Sequence, residues 1–375
     1  MERKLASIRK VREIKPIEGA DAIELAIVDG WQCVAKKGEF KVNDLCVYFE
    51  IDSFLPIKDE FEFLRKSSYK KMGEAEGFRL KTIKLRGELS QGLIIPISNF
   101  NEDIQKMEEG TDLTDILEVQ KYEPPIPAQL AGQVRGSFPS YIRKTDQERI
   151  QNLFYKINEK HKDVDFEVTL KLDGTSCTYY VVNPSIHNTK LEEHADVYFG
   201  HCSRNLDTKE GDSTPWIIAR DNKIKDNMIE FFKNTRRSIA IQGELMGPSI
   251  QGNREKLTAP KFFLYDIWDI DNQRYLTKDE RKEIVEFIGV DMVPVINTNL
   301  KVLNEFKDIN DVLKFAEVPS INHTIGEGLV FKSNTLVNGD TLSFKAISIS
   351  LFLNSIGVAV LLNSNRTFPE PSTTF

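Results

Sequence analysis

Residues 168–176 read VTLKLDGTS and place a lysine inside an apolar strand, directly before a turn. The Val-Thr-Leu run favours a strand, and Asp173-Gly174 favours a tight turn. Placing a charged amine in an apolar strand costs free energy unless the amine is solvated or has a chemical function there. From these residues alone, a strand end with the Lys171 amine in solvent is the simpler interpretation. The alternative is a nucleophilic lysine, with Asp173 on the same side of the strand to hold a divalent metal.

Four downstream segments carry charged side chains at similar strand positions. They are IQGELMG with Glu244, KFFLYDIWD with Asp266, GEGLVFK with Glu327 and Lys332, and TLSFKAIS with Lys345. Each segment alone is more often a strand end with a solvated charge than a site. Together they supply a lysine, carboxylates and cations in one domain, and this inventory suits phosphoryl transfer.

The composition is that of a globular chain without a global attraction to nucleic acid. At 375 residues two domains are expected, and the formal net charge is −7. Four scattered cysteines without a C-x-x-C pair argue against a disulfide scaffold or a zinc ribbon and favour a reducing compartment. The basic N-terminus has no apolar run, and no stretch approaches the length of a membrane span. We therefore expect an intracellular chain that does not enter a membrane.

The pattern of predicted secondary structure changes near residue 140. Residues 1–96 read as short strands separated by turns such as Asp29-Gly30, which suggests a small barrel with the OB-fold as a natural candidate. The Pro- and Gly-rich segment 121–140 is the best linker. The expected organisation is an N-terminal domain over 1–120, a linker over 121–140, a catalytic domain over 141–362 and a disordered tail over 363–375.

The second half interleaves helices and strands without a regular βαβ rhythm, which indicates an α+β fold. Its first helix is predicted in TDQERIQNLFYKINEK, with Thr145 or Asp146 as the cap. The predicted strands lie around 166–182, 238–245, 261–268, 327–333 and 341–347. Further helices are predicted near 222–234, 277–288 and 302–316.

In this order, the charged segments resemble motifs I, III, IIIa, IV and V of the covalent nucleotidyltransferases, which include ATP-dependent DNA and RNA ligases and mRNA capping enzymes. The N-terminal barrel and the segment FPSYIRKTDQERIQN resemble RNA ligases of family 5. The resemblance implies an OB-type all-β barrel followed by a nucleotidyltransferase domain of ATP-grasp-like antiparallel sheets with helices. It also implies an ATP-dependent RNA ligase that works through lysyl-AMP and then RNA-adenylate, with Mg²⁺ or Mn²⁺ as its metal.

The resemblance also assigns roles to individual residues. Lys171 would carry AMP, Lys345 would contact the α-phosphate, and Lys332 would accompany Glu327 in the catalytic set. The metal would be held, directly or through its water shell, by Asp173, Glu244 and Glu327. The remaining predicted nucleotide contacts are Lys144, Arg149, Glu167, Arg204, Asn205 and an aromatic residue of motif IIIa, for which Phe262 is preferred to Phe263. Solvated charges are the simpler interpretation of Arg149 and Glu167.

Ser343 departs from the family pattern. Many RNA ligases have K-x-K in motif V, whereas Ser343 precedes Lys345 here, so another residue would have to aid pyrophosphate departure if that lysine is needed. DNA ligases and capping enzymes are rival interpretations. Both usually place an OB domain after the catalytic domain, and only about thirty residues follow Lys345. A degenerate RNA-binding module is the non-enzymatic alternative, against which the intact lysine and carboxylates argue.

A local basic region in the N-terminal domain suggests contact with RNA. It comprises Arg65, Lys66, Lys70, Lys71, Arg79, Lys81, Lys84 and Arg86, and it is interleaved with Tyr69 and Phe78. Arg79 and Lys81 are expected on one face of a strand, where they could follow a phosphate backbone. The simpler interpretation is an ordinary solvated face. Beside a ligase domain we predict binding of nicked RNA duplexes by a monomeric protein.

Overall fold

The structure is a computed structural model that describes residues 4–123, 132–185 and 196–351. The chain divides into two units. One contains the N-terminal residues through Pro127 together with Gln151–Phe154, and the other contains 128–150 and the residues from Tyr155 onward. The division falls inside the segment predicted as a linker. The predicted tail, 363–375, lies outside the described residues.

The N-terminal unit consists mainly of short strands, as its turn-rich sequence predicted. They are β1 (Ala6–Pro16), β2 (Ile23–Val28), β3 (Trp31–Lys36), β4 (Leu45–Phe49), β5 (Ser53–Pro56), β6 (Tyr69–Met72), β7 (Ala75–Arg79), β8 (Ile83–Leu85), β9 (Glu88–Ser90), β10 (Leu93–Pro96) and β11 (Gln120–Lys121). Two single-turn helices, α1 (Arg65–Ser68) and α2 (Glu102–Gln105), accompany them. Side-chain alternation directs the packing: Trp31, Cys33 and Ala35 of β3 are buried on one face of the strand.

Within the described residues the strands of this unit form a sheet in the order β10-β4-β1-β2-β3 and another in the order β11-β5-β7-β6. A hydrophobic core that includes Ile8, Phe49 and Phe78 lies inside them. A separate hairpin pairs β8 with β9 through the turn Arg86-Gly87, where both residues have positive φ. These curved antiparallel sheets are the predicted OB-type architecture.

The second unit carries the longer strands and the helices. Its strands are β12 (Val134–Ser137), β13 (Glu148–Arg149), β14 (Phe166–Leu170), β15 (Thr175–Val182), β16 (Tyr198–Cys202), β17 (Leu206–Thr208), β18 (Ile239–Met246), β19 (Lys261–Asp269), β20 (Arg274–Tyr275), β21 (Asp291–Met292), β22 (Val295–Leu300), β23 (Gly328–Val337) and β24 (Asp340–Ile347). Its helices are α3 (Ile150–Lys160), α4 (Thr214–Asp221), α5 (Ile224–Thr235), α6 (Lys278–Ile288), α7 (Val302–Glu305) and α8 (Ile309–Phe315).

Two sheets of this unit position the candidate site. One has the strand order β12-β17-β16-β15-β18-β19-β20, with β21 added beside β19, and the other has the order β13-β24-β23-β14-β22. Strand β14 lies between β23 and β22, and every one of its residues is buried, so both faces of the sheet are covered at this strand. The first sheet packs α5 and α6 against a core that includes Met228, Phe232 and Ile284. The predicted α+β class is confirmed.

Two local predictions are wrong. The helix predicted from Thr145 or Asp146 begins only at Ile150, with Arg149 as its cap, because the preceding residues form an extended segment and the short strand β13. Strand β7 ends at Arg79, so Lys81 lies beyond it and does not share a strand face with Arg79. No helix within residues 4–123, 132–185 or 196–351 is long and apolar enough to cross a membrane. All four cysteines are buried, and none of them forms a disulfide.

Candidate active site

A polar cavity of about 330 Å³ lies where β14, β18, β23 and β24 meet. Its lining residues come from both sheets of the second unit. They are Thr145, Asp146, Gln147, 169–176, Arg204, Glu244, Gln251, Tyr265, Val293, Glu327, Val330, Lys332 and Lys345. Seven of the residues predicted from the sequence therefore meet in one cavity, namely Lys171, Asp173, Arg204, Glu244, Glu327, Lys332 and Lys345.

Lys171 directly follows β14, and its position is set by neighbouring strand β23. Its backbone N–H donates to the carbonyl of Gly328 (2.9 Å), and its Nζ lies 2.5 Å from Glu327 Oε1. Gly328 has φ of 129°, and a Cβ there would lie 2.2 Å from the carbonyl oxygen of Ala346. Only glycine fits this crossing of strands, so GEGLVFK brings a carboxylate to the lysine amine.

Asp173-Gly174 makes the turn from β14 into β15. The Gly174 N–H donates to Glu244 Oε1 (3.0 Å), and a Cβ on Gly174 would lie 2.5 Å from the carbonyl oxygen of Leu245. Close approach to β18 is therefore the reason for this glycine. Asp173 Oδ2 accepts from Arg254 Nη1 at 3.2 Å.

Three carboxylates, those of Asp173, Glu244 and Glu327, face this cavity. Burial raises the pKa of Glu244 to about 7; the positive charge of Lys171 opposes the rise, and the negative charge of Glu327 adds to it. Within the described ranges, no three His, Cys, Asp or Glu side chains are close enough to bind one metal ion directly. Carboxylate oxygens that face one cavity nevertheless suit a hard cation that keeps part of its water shell. The donor set thus fits Mg²⁺ or Mn²⁺ bound through water.

A second cluster joins two of the predicted phosphate contacts. Asp146 Oδ1 lies 3.3 Å from Lys345 Nζ and 4.0 Å from Arg204 Nη2. Strand β13 pairs in parallel with β24, with Arg149 opposite Lys345, and this pairing carries the segment that contains Asp146 alongside Lys345. The cavity wall therefore holds an aspartate between two cations.

Lys332 forms a third ion pair, deeper in the cavity wall. Its Nζ lies 2.9 Å from Asp266 Oδ2 and also donates to the carbonyl oxygen of Tyr265. Burial lowers the pKa of Lys332 to about 8, and the attraction of Asp266 opposes that change. Across the sheet, Lys332 is the register partner of Glu167 on one side and of Ser343 on the other.

The structure corrects the choice of Phe262 as the nucleotide-stacking aromatic residue. Phe262 is buried in the hydrophobic core, with its ring 5.2 Å from that of Tyr179. Between β18 and β19, Gln242 pairs with Asp266 and Gly243 pairs with Leu264, so Tyr265 is the extra residue of a β-bulge. The bulge changes the alternation of side chains and places Tyr265 on the cavity wall. Simple parity could not have revealed this.

Glu167 is also absent from the residues that line the cavity. It is buried behind the cavity in an ion pair with Arg281 of α6. Burial lowers the pKa of Arg281 to about 10, which leaves the guanidinium charged near neutral pH. The structure thus gives Glu167 a packing role and not the predicted contact with adenine.

Three other predicted contacts lie outside the cavity lining. Lys144 Nζ donates to Asn205 Oδ1 at 3.2 Å, so these two residues contact each other. Arg149 lies on β13 beside Lys345 in the register of the sheet. Their contacts with the nucleotide stay predictions.

Sequence reasoning missed three residues of the site. Tyr265 directly precedes Asp266 in the aromatic strand, and the bulge concealed its direction. For Asp146 the sequence predicts a helix cap and gives no sign of a role in the cavity. Arg254, which contacts Asp173 and also donates to the carbonyl oxygen of Ile325 at 2.9 Å, carries no local signal because its partners are distant in the chain.

Comparisons with known proteins agree with this architecture. An OB-fold domain family matches residues 5–97, and the RNA ligase family matches residues 164–347. A Naegleria gruberi RNA ligase mutant in its apo form is 42% identical, with a TM-score of 0.72, over 94% of this chain and 98% of that chain. A mutant of that ligase with AMP and Mn is 43% identical, with a TM-score of 0.72, over 94% and 99%. A third, with ATP and Mn, is 41% identical, with a TM-score of 0.72, over 94% and 99%. No curated protein matches the chain.

An OB-fold unit together with antiparallel sheets around a lysine- and carboxylate-lined cavity defines a covalent nucleotidyltransferase. Within that class, the chain belongs to the RNA ligase family. The predicted enzyme class and its RNA substrate are thereby confirmed.

Proposed function

We propose that this chain seals nicks in RNA, joining a 5′-phosphate to a 3′-hydroxyl at the expense of ATP, through AMP bound covalently to Lys171. The observation that carries the proposal is the position of Lys171 Nζ, 2.5 Å from Glu327 Oε1 in a cavity that also contains Asp173 and Glu244. The Naegleria ligase structures with ATP or AMP and Mn support ATP and a divalent cation as the cofactors.

In the first step the Lys171 amine attacks the α-phosphorus of ATP. A nitrogen–phosphorus bond forms, the bond from that phosphorus to the bridging oxygen breaks, and pyrophosphate leaves. The amine must lose a proton before it attacks, and a cation bound beside it would favour that loss. Lys345, and Arg204 at the exposed rim, would stabilise the charge on the α-phosphate.

Asp173, Glu244 and Glu327 would hold Mg²⁺ or Mn²⁺ through its water shell, and the bound cation would supply positive charge beside the transferring phosphate. This arrangement requires Glu327 to leave its ion pair with Lys171, and Asp173 to share or release Arg254. The carboxylates therefore keep the lysine and the arginine in place until the nucleotide binds.

Tyr265 is the proposed stacking partner of adenine. It is the aromatic residue of β19 that lines the cavity, whereas Phe262 packs in the core. In the second step AMP would pass from Lys171 to the 5′-phosphate of RNA. In the third, a 3′-hydroxyl oxygen would attack that phosphate and release AMP.

The N-terminal unit would bind the RNA that the ligase domain joins. The hairpin of β8 and β9 exposes Ile83 and Leu85, 49% and 39% accessible, next to the exposed cations Lys84 and Arg86. Several cations of the basic region are partly neutralised, since Arg65 pairs with Glu62, Lys71 with Glu76 and Arg79 with Asp52. The hairpin is therefore the part of the basic region best suited to contact a phosphate backbone.

Covalent labelling tests the first step. The protein is incubated with α-labelled ATP and Mn²⁺, denatured, and examined for label on the polypeptide. Wild type should become labelled and Lys171→Ala should not. Lys261→Ala is the matched control, because Lys261 is also a strand lysine in an ion pair, with Asp291 at 2.8 Å, but lies outside the cavity. Failure of wild type to acquire label from ATP would leave an RNA-binding module as the alternative.

Nick sealing tests the substrate. The test compares nicked duplexes that are identical except for the strand that carries the 3′-hydroxyl. That strand ends in RNA in one set of duplexes and in DNA in the other. We expect sealing to require RNA on that side, and equal sealing of all-DNA nicks would favour a DNA ligase. Affinity for the nicked duplex should fall as salt rises, because binding displaces counterions from RNA. Lys84→Ala with Arg86→Ala should weaken binding and reduce that salt dependence.

A further inference from the structure

Asp146 lies where the proposed mechanism has no use for a negative charge. Its Oδ1 is 3.3 Å from Lys345 Nζ and 4.0 Å from Arg204 Nη2, the two cations assigned to the α-phosphate. It also lines the cavity itself. A carboxylate at this point repels the phosphate of an incoming nucleotide and competes for the same cations.

The structure holds the segment around Asp146 from both ends. On one side, Thr145 Oγ1 donates to Gln242 Oε1 at 2.8 Å, and Gln242 Nε2 donates to the carbonyl oxygen of Arg143 at 2.7 Å. On the other, β13 pairs in parallel with β24. Gln242 is almost completely buried, so its contacts anchor this segment firmly. Asp146 is thus a built part of the cavity wall.

We propose that Asp146 acts as an internal anion that occupies the phosphate-binding cations, Lys345 above all, whenever no nucleotide is bound. This inference rests on the proposed function, which assigns Lys345 to the α-phosphate. Asp146 lowers the affinity of the cavity for nucleotide phosphate and keeps Lys345 in place between turnovers. Its return to Lys345 after the third step promotes release of AMP.

Removal of the Asp146 charge should tighten the binding of a nucleotide phosphate in the cavity. Asp146→Asn should bind AMP about tenfold more tightly than wild type, the effect of removing a like charge near a partly buried phosphate. Adenosine lacks the phosphate, so its affinity should not change. A hydrogen bond from the ribose to Asp146 would instead make adenosine bind more weakly to the variant, and that result would overturn the proposal.

The experiment is calorimetric titration of AMP and adenosine, in EDTA, into protein first treated with pyrophosphate to remove covalent AMP. Glu210→Gln is the matched control. The Glu210 Oε1 atom also lies between a lysine and an arginine, 2.8 Å from Lys225 Nζ and 3.9 Å from Arg220 Nη1, but outside the cavity. It should bind AMP as wild type does. Asp146→Ser provides a second variant that removes the charge with a smaller side chain.

Lys345→Ala separates the two hypotheses. If this change weakens AMP binding while Asp146→Asn and Asp146→Ser fail to tighten it, the inference about Asp146 alone is wrong. If Lys345→Ala leaves AMP affinity unchanged, the phosphate assignment of the proposed function is wrong and the inference fails with it. In the double variant Asp146→Asn with Lys345→Ala, the tightening should be smaller than in Asp146→Asn alone, because competition between Asp146 and the phosphate for Lys345 no longer contributes.

Discussion

Lys332 and Asp266 form an ion pair of 2.9 Å in which each side chain is only 4% exposed. Lys332 comes from β23 and Asp266 from β19, so the pair joins the two sheets that enclose the cavity. Each of these two buried charges offsets the desolvation cost of the other. If one side chain were removed, the remaining charge would stay buried without a partner.

Removal of the lysine charge should therefore destabilise the second unit. Lys332→Met is expected to lower its free energy of unfolding by about 3–5 kcal/mol, because Asp266 is left buried and unpaired. The double variant Lys332→Met with Asp266→Leu should recover much of that loss. Lys261→Met, which breaks the exposed pair with Asp291, should cost less than about 1 kcal/mol. Urea unfolding followed by circular dichroism measures all three, and equal losses for the two single variants would contradict the prediction.

His201 should make stability depend on pH. The imidazole is buried between Tyr179 and Trp216, and burial lowers its pKa to about 3. The unfolded chain takes up a proton near pH 6.5 whereas the folded chain does not, so stability is present above that pH and is lost as pH falls toward 3. Between pH 7 and pH 5 we expect a loss of about 2 kcal/mol from this group. His201→Gln should abolish that part of the slope in urea unfolding.

Phe199→Leu is the control for His201, since Phe199 belongs to the same aromatic cluster and does not titrate. It should lower stability by a similar amount at every pH. The assignment of the slope to His201 would be wrong if His201→Gln kept the wild-type pH dependence.

Tyr265 should affect nucleotide binding, and Phe262 should affect stability. Loss of a base-stacking ring typically costs about 1–3 kcal/mol, so Tyr265→Leu should raise the KM for ATP in the labelling reaction about 5- to 150-fold. Tyr265→Phe should remain close to wild type. Phe262→Leu should lower the melting temperature without changing that KM, because its ring lies in the core. The reverse pattern would restore Phe262 as the stacking residue.

Arg254 should set the metal requirement. It joins Asp173 to the loop before Glu327 through Ile325, and the adjacent Glu255 accepts the N–H of Asn322 in that same loop at 2.5 Å. Arg254→Met frees the proposed metal-binding carboxylates to move, so labelling should slow about 10- to 100-fold and need more Mn²⁺. Arg254→Lys should recover part of the rate.

Arg237→Met is the matched control for Arg254, since Arg237 pairs with buried Asp269 at 3.0 Å away from the cavity. It should lower stability and leave the Mn²⁺ dependence unchanged. If both arginine variants needed the same Mn²⁺ concentration as wild type, Arg254 would be a stabilising contact and nothing more.

Most residues of the candidate site could be predicted from the sequence, because nucleotidyl transfer requires particular residue types and the family motifs occur in a fixed order. Lys171, Asp173, Glu244, Glu327 and Lys345 could be selected from the amino-acid sequence, and all five line one cavity. Their strands could also be predicted, because apolar runs and glycine turns are local signals. The family comparison confirms the resulting fold class and enzyme class.

The sequence-based predictions failed where contacts between residues distant in the chain decide the position of a side chain. Parity favoured no single aromatic residue of β19, and a bulge against β18 decided that Tyr265 reaches the cavity. Glu167 looked available to a nucleotide until Arg281, 114 residues further along the chain, neutralised it. Arg254 could not be selected at all, since its partners are remote in sequence.

The sequence by itself determined which groups the proposed reaction would use, because nucleophile, carboxylates and cations are properties of residue types. Only the tertiary structure decided which of those groups face the cavity and which charges neutralise one another. That depends on strand register, on the bulge at Tyr265 and on pairs such as Asp146 with Lys345, whose members are brought together only when the sheets form. The energy of interaction between two charges depends on their distance in space. The number of residues between them in the sequence does not give that distance.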